Sequence, residues 1–418
     1  MKYSDLSQAL TVQIDRQSKK KDGIFFTPPD TIDTNMKLLS KYMKSINTIL
    51  EPSCGSGEYV NYITSNYKNK DITAIEYNLT IYNAVKDTVD TPVVLYNKNY
   101  LTFNNYDETT NPNPKTFDLI IGNPPFYIMK KTEIDPQYHP YFTGRPNIFI
   151  AFILKSLGML SEKGILSFIL PRNFLNSLYY EKTRRYIYHN FKILNLVECD
   201  DKYIETQQKT ILLIVQKTKT TKTTPEYYNK KYVLQRNNVD VVVFGIPEAI
   251  KQLKSLYDNS RTLSELGFKV SVGTVVWNQC KEILTDDNSK TLLVYSSDIK
   301  DGELAVKQYT NPSKKNYIDK EGISGPLLVI NRGYGVGKYD FQYCLINRDN
   351  EHPYLIENHL ITITPYNKDY ISNDLLTNLY DEIIKSFNNE KTKQFIELYF
   401  GNNAINTTEI NYILPMYM

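Results

Sequence analysis

The chain has 418 residues, 41% of them apolar and 23% charged, with a formal net charge of +3. That length and composition suit two globular domains, each with its own core, and no apolar run reaches the ~20 residues that cross a bilayer. Cys54, Cys199, Cys280 and Cys344 are too scattered for a zinc site or a disulfide framework, and Met1-Lys2-Tyr3-Ser4-Asp5 lacks an apolar signal region, so a cytoplasmic protein without a metal is expected.

Pro28-Pro29-Asp30 start a helix over 31–43, where Ile32, Met36, Leu39 and Met43 share one face. Short apolar runs at 48–51, 71–76, 93–96, 117–121, 164–170, 193–198 and 211–215 then alternate with helical stretches, notably 147–160 and 179–190. The apolar stretch of the first of these is interrupted by Lys155. Strand–helix alternation of this kind predicts a mostly parallel sheet with both faces covered. The threonine–lysine run at 218–224, closed by Pro225, reads as a linker between a domain over 1–220 and a second over 221–418. Beyond it come one helical stretch, 247–257, and short runs at 268–276, 291–295, 325–331, 343–347 and 360–365. Helices at 374–386 and 393–400 follow. The second domain is therefore expected to be β-rich or mixed. The charge divides as roughly +5 and −2 between the two halves, so a nucleic-acid surface would have to come from local clusters. Lys19-Lys20-Lys21, Lys130-Lys131 and Lys314-Lys315 are the candidates, each also readable as a solvated loop.

Two motifs carry chemistry. Glu51-Pro52-Ser53-Cys54-Gly55-Ser56-Gly57 follows the first strand and precedes a helix, where glycines let backbone approach a ligand. A carboxylate at its head suits a cationic partner, and the absence of Gly-Lys-Ser/Thr excludes a phosphate-binding P-loop. Glu76 ends the second strand about 20 residues on, the distance at which a carboxylate bonds ribose hydroxyls. A dinucleotide site is the competing reading, weakened by the missing third glycine. The second motif, Asn123-Pro124-Pro125-Phe126, stands at the carboxyl end of the fourth strand, the edge where α/β sheets bind ligands. The Asn123 amide oxygen and the Pro124 carbonyl offer two acceptors to an amino group, and Phe126 offers a ring face to its heterocycle.

In order and spacing these motifs resemble a gamma-class adenine-N6 DNA methyltransferase of the TaqI type found in restriction-modification systems. The resemblance is dense over 20–217 and thin afterwards. It implies a class I S-adenosylmethionine-dependent methyltransferase fold, α/β with a Rossmann-like seven-stranded sheet, and a C-terminal mixed α/β target-recognition domain. Gly23-Ile24-Phe25-Phe26-Thr27-Pro28-Pro29 resembles the segment that closes over the methionine end of the cofactor, which implicates Phe26, Thr27 and Pro28. Glu51, Pro52, Cys54, Gly55 and Gly57 match the cofactor loop, and Glu76 the ribose-binding carboxylate. Asn99 and Tyr100 fall where the family contacts the cofactor adenine, although the family has an acidic residue there and Asn97 competes for the role. Asn123, Pro124 and Phe126 would hold an adenine flipped from duplex DNA, with Tyr203 as a second stacking platform. Asn147 is read as a helix cap, and Asn173, which ends a strand on the same rim, as a cap with lining the site as the alternative.

In the second domain 270–278 and 331–338 resemble glycine-containing recognition segments, with Arg332 and Lys338 beside Lys130 and Lys131 as DNA contacts. The glycines of 331–338 are equally readable as a plain hairpin. A partner restriction nuclease, where one exists, would be a separate chain, and the enzyme is expected to act as a monomer. Two rivals remain at this level: an RNA-base or protein-glutamine methyltransferase with the same Asn-Pro-Pro-Phe chemistry, and a DNA-binding specificity protein without catalysis.

Overall fold

In a computed structural model the described residues are 3–89, 93–104, 115–199, 203, 204, 206, 208–218, 224–234, 241–332, 341–400 and 405–418. The chain forms two compact units, Met1–Gln235 with Asp240–Ile250, and Arg236–Val239 with Lys251–Met418.

Seven strands build the first unit: β1 (Thr48–Glu51), β2 (Asp71–Glu76), β3 (Val93–Asn97), β4 (Phe117–Gly122), β5 (Leu160–Pro171), β6 (Phe191–Cys199) and β7 (Thr210–Lys217). Their order in the sheet is β3-β2-β1-β4-β5-β7-β6. The first five are parallel, and β7 runs antiparallel between β5 and β6. This order, with the last strand inserted antiparallel, is the class I methyltransferase sheet. Buried parallel strands carry apolar residues on both faces, and alternate side chains divide between two cores. Leu119 and Ile121 join Ile49, Ile72, Ile165 and Leu212 against α3 (Pro29–Leu39) and α4 (Glu58–Asn66). Ile120 joins Leu50, Ile75, Leu166 and Leu213 against α6 (Ile148–Gly158) and α7 (Glu181–Asn190). Each such side chain contributes about 1.5–3 kcal/mol relative to exposure, so the sheet rigidly fixes the loops at its carboxyl edge.

Polar groups inside these layers are paired. Asn35 Nδ2 donates to the Tyr59 hydroxyl at 2.8 Å, and Ser167 Oγ donates to Asn35 Oδ1 at 2.7 Å, tying α3, α4 and β5 together. Lys155, the one charge in the apolar α6, donates to the carbonyls of Leu101 and Phe103 at 3.0 and 2.7 Å. Burial lowers its pKa to about 8.

Two helices precede the expected start of structure: α1 (Asp5–Gln13) and α2 (Arg16–Asp22). Ser4 and Asp15 cap them, each side chain accepting from backbone N–H groups of the first turn. Lys19, read as part of a nucleic-acid cluster or else of a solvated loop, is instead 4% exposed in α2 and donates to the Thr11 carbonyl at 2.6 Å.

The expected boundary at 220/221 falls too early. Pro225–Asn229 forms a helix, α8, whose buried Asn229 accepts from Ile193 N at 2.8 Å and donates to the carbonyls of Tyr188 and Phe191. Farther on, the carbonyl of Val242 accepts from the fully buried Arg184, whose guanidinium also serves the carbonyls of Phe174 and Ser177 at 2.9 and 2.7 Å. Residues 225–234 and 241–250 therefore belong to the first unit.

In the second unit Phe268–Val272, Leu360–Pro365, Gly325–Asn331 and Tyr343–Arg348 form an antiparallel sheet in that order. A second four-stranded sheet is built around Thr291–Val294 and Tyr354–Ile356. Helices Asn373–Phe387 and Glu390–Phe400 follow, so this unit is mixed α/β. Lys314 and Lys315 are occupied structurally. Lys314 Nζ lies 4.0 and 3.9 Å from the ring centroids of Tyr295 and Tyr309, and Lys315 pairs with Asp286. Among the described residues no helix is long and apolar enough to cross a membrane.

Arg184→Ala removes the donor shared by several buried carbonyls, each costing about 1–3 kcal/mol when left unpaired. Its urea midpoint, followed by far-ultraviolet circular dichroism, should fall markedly while Arg185→Ala stays near wild type.

Candidate active site

The site lies along the carboxyl edge of β4, β1 and β2, where a cleft of about 1150 Å³ opens. Its lining includes Phe26, Pro52, Gly55, Glu76, Asn99, Tyr100 and Asn123, all expected from the motifs. Thr27, Pro28, Glu51, Cys54, Gly57, Pro124, Phe126 and Tyr203 are not on its surface and stand behind it or beside it.

The cofactor loop is built from backbone. Cys54 N donates to Ile75 O at 2.9 Å and Gly57 N to Cys54 O at 2.8 Å, and Gly57 then stands at the N-cap of α4. Gly55 has φ +53°, and a Cβ there would meet the Phe26 ring at 3.6 Å; without it the ring closes on bare peptide. From outside, α1 locks the loop. Glu58 Oε1 accepts from Ser4 Oγ at 2.6 Å and Ser7 Oγ at 2.5 Å, while Ser7 Oγ and Ser56 Oγ are 2.7 Å apart. The N-cap serine of α1 was the available sequence signal for this latch.

Two carboxylates sit beneath the cleft. Glu51 is 3% exposed with Oε2 unpaired, and burial, then the nearby Glu76, holds its pKa well above the usual range. Glu76 accepts from Gly55 N at 3.0 Å and Asn78 N at 2.7 Å. Burial raises its pKa to about 7 against the pull of those two N–H groups. Asn97 and Asn99 differ in their surroundings. Asn97 Nδ2 is committed to the carbonyls of Glu76 and Tyr77, whereas Asn99 lines the cleft while its Oδ1 caps Leu101 N at 2.9 Å. Tyr100 is buried, its hydroxyl 2.8 Å from Ser156 Oγ. Tyr77, Asn78 and Ile81 also line the cleft and were not anticipated.

Asn123 is held at two atoms and open at a third. Its Nδ2 donates to Phe25 O at 3.2 Å, its backbone carbonyl accepts from Ser53 Oγ at 3.1 Å, and its Oδ1 is buried without a partner. Since Phe25 O can only accept, the amide nitrogen faces Phe25 and the orientation of the amide is assigned. Gly23 makes this contact possible. At φ +67°, a Cβ would come within 2.7 Å of Phe126 N, so only glycine lets the 23–28 segment lie against Asn-Pro-Pro-Phe. Phe126 is half-buried and meets Phe149 edge-on, centroids 5.8 Å apart.

Lys130 and Lys131 are exposed and line the cleft, together with Lys21, from the candidate cluster Lys19-Lys20-Lys21, and Arg145, which was not predicted. Their loop is pinned at its base by Met129 N to Pro146 O and Ile148 N to Tyr127 O. Asn147 caps α6 as expected, but the Asn173 amide oxygen is buried and unpaired rather than capping. Tyr203 is 7% exposed, with its hydroxyl inward beside Asn123 and Thr210. In the second unit Arg332 is half-buried, its N–H donating to His359 O at 3.2 Å. Lys338 lies outside the described residues.

Residues 24–204 match the family model described as Eco57I restriction-modification methylase. The type II methyltransferase M.CvrRI of Paramecium bursaria Chlorella virus XZ-6E is 26% identical over 409 residues, covering 96% of both chains. The modification methylase CviBIII of Paramecium bursaria Chlorella virus NC1A is 23% identical over 414 residues with the same coverage. Among solved structures, the DrdV–DNA complex superposes with a TM-score of 0.54 at 12% identity, over 96% of this chain and 57% of that one, a likeness of fold.

The residues present fit S-adenosylmethionine. Buried carboxylates with raised pKa values welcome positive charge and hydroxyl donors, the glycine loop leaves backbone open, and Asn123 Oδ1 faces no protein donor. A volume of about 1150 Å³ exceeds most small-ligand pockets, leaving space for a second reactant. The chain thus resembles the methyltransferases of restriction-modification systems, with a class I methyltransferase fold at its core and S-adenosylmethionine as its cofactor.

Proposed function

We propose that the protein is a site-specific DNA methyltransferase that methylates the N6 amino group of an adenine extruded from duplex DNA, as the modification component of a restriction-modification system. The carrying observation is Asn123, whose amide nitrogen is anchored and whose buried oxygen is unpaired. A buried acceptor without a donor is costly, and an incoming N–H relieves it. The similarity of the whole chain to type II modification enzymes favours DNA over RNA or a protein glutamine as the substrate.

The exocyclic nitrogen of adenine is a weak nucleophile because its lone pair is delocalised into the ring. Asn123 Oδ1 accepts one amino hydrogen and the Pro124 carbonyl the other, which localises the lone pair toward the cofactor. S-adenosylmethionine, when bound, supplies an electrophilic methyl group. No strong base is needed, since the amino group becomes acidic as the new bond forms and its proton then leaves to water. Adenine is out of reach inside the duplex and must be extruded at a cost of a few kcal/mol; stacking on Phe126 returns ~1–3 kcal/mol. Lys130 and Lys131, with Lys21 and Arg145 on the same rim, serve backbone phosphates. The second unit reads the sequence, with Arg332 and Lys338 as its contacts, and the 23–28 segment with Glu76 and Asn99 holds the cofactor.

Labelled methyl from S-adenosylmethionine should appear as N6-methyladenine in duplex DNA; incorporation only into RNA or protein would refute this reading. Asn123→Ala should lower kcat by ~10²–10³ with cofactor affinity nearly unchanged, as single-turnover rates and calorimetry will show. The affinity for S-adenosylmethionine should rise with pH through about 7, the range in which Glu76 ionises, because ribose hydroxyls donate better to a carboxylate than to a carboxylic acid. The same raised pKa sets the sign for the free protein: this group's stabilising contribution is complete below its ordinary value and is lost as pH climbs to about 7. Calorimetry at pH 6 and 8 tests the binding trend, and Glu76→Gln should flatten it. Replacing Lys130 and Lys131 together by alanine should weaken DNA binding at all sequences and reduce its log–log salt slope by about 1 for each phosphate no longer neutralised.

A further inference from the structure

Among the described residues, four buried and unpaired side-chain polar atoms gather on one rim: Asn123 Oδ1 after β4, Asn173 Oδ1 after β5, and the hydroxyls of Tyr203 and Thr210 where the chain enters β7. Buried polar atoms are otherwise nearly always paired, so such a concentration marks groups held ready for partners. Asn123 is explained by the substrate. Tyr203 is not.

Tyr203 does not present an open stacking face. It is 7% exposed and absent from the large cleft. It instead lines a separate void of about 10 Å³ with Thr11, Phe25 and Phe26, room for about one water molecule and far too little for a purine. What it directs toward the site is its hydroxyl. Burial pushes the phenol's pKa well up, and the adjoining side chains of Thr210 and Asn123 act against that rise. A neighbour lowers a phenol's pKa by offering a donor to its oxygen. On Asn123 the only side-chain donor is Nδ2, the nitrogen already anchored on Phe25 O.

We propose that Tyr203 is a positioning residue for Asn123, its phenol oxygen taking the second Nδ2 hydrogen while Phe25 O takes the first. The Thr210 hydroxyl donates to the same phenol oxygen from its other side. With both amide hydrogens claimed on the protein side, the Asn123 amide cannot flip, and both lone pairs of Oδ1 stay turned to the incoming amino group. The contacts are adjacent but not fully formed, so a small shift on target entry completes them. A single anchor leaves the amide free to rock about its bond to Phe25 O; two fix its plane. This role rests on the reading of Asn123 as the amino-group acceptor.

Tyr203→Phe keeps the ring and removes only the oxygen. We expect kcat to fall about 10-fold, in line with the loss of one ordinary hydrogen bond, with KM for DNA and Kd for S-adenosylmethionine within twofold of wild type. Thr210→Val should reproduce a smaller part of the fall in kcat. In an Asn123→Ala background Tyr203→Phe should change nothing further, since the two act as a unit. A Tyr203→Phe enzyme with wild-type kcat, or one altered in KM alone, overturns the proposal in favour of a ring-only role. Strictly multiplicative effects in the double variant overturn it as well. The contact is also readable without turnover: thermal shifts of Asn123→Ala and Tyr203→Phe in the free protein should be non-additive, and additive shifts would sink it. Absence of methyl transfer to DNA by the wild type would refute the functional reading, and the thermal cycle would still decide whether phenol and amide are coupled.

Discussion

The bond from Asn123 Nδ2 to the carbonyl of Phe25 is the constraint on which the site depends. It joins two stretches 98 residues apart in sequence, the 23–28 segment and Asn-Pro-Pro-Phe. An amide has one donor end and one acceptor end, so committing the first decides where the second points. The sheet provides β4 as a rigid base, Gly23 allows the covering segment to approach, and Ser53 holds the Asn123 carbonyl. The acceptor is thus in place before any ligand arrives, the preorganisation that the proposed mechanism draws on.

Electrostatics beneath the cleft follow the same logic. Glu51 and Glu76 resist ionisation in their dry surroundings, and their raised pKa values record that resistance. A ligand with positive charge and hydroxyl donors would offset it, relieving a penalty built into the free protein. Glu76 also accepts from Gly55 and Asn78, the ends of two loops that shape the cleft. Its protonation state and the loop geometry are therefore linked.

Much of this was legible in sequence, for identifiable reasons. Strands buried on both faces read as apolar runs between turn residues, and β1 and β2 match their expected limits. The Asn-Pro-Pro-Phe and glycine-loop motifs sit at strand ends, so their place on the carboxyl edge followed from topology. What was not legible depends on tertiary partners. β5 begins at Leu160, four residues before its apolar run, because Leu160 pairs with Phe117 and the polar residues 161–164, with Lys163 at φ +64°, bulge out before Ile165 rejoins the ladder. Helices α1 and α2 carry few apolar residues, and their small core of Leu10, Ile14, Phe26, Ile81 and Val85 is assembled from distant segments. Asn97 and Asn99 are equivalent in composition, and only the carbonyls of Glu76 and Tyr77 separate them. Tyr203 is one of 35 tyrosines, and no sequence pattern tells a ring that shows its face from one that shows its oxygen.

Arg184 has a bearing on how the molecule can be divided. Its guanidinium bonds the carbonyl of Val242, a residue that follows the threonine-rich stretch in sequence, and Asn229 fastens the intervening helix to β6. Chain cleaved at residue 220 would strip both hydrogen-bonding partners from an otherwise dry pocket and leave a fragment prone to aggregate. A fragment ending after Ile250 keeps them, and is the smaller body to test for independent folding.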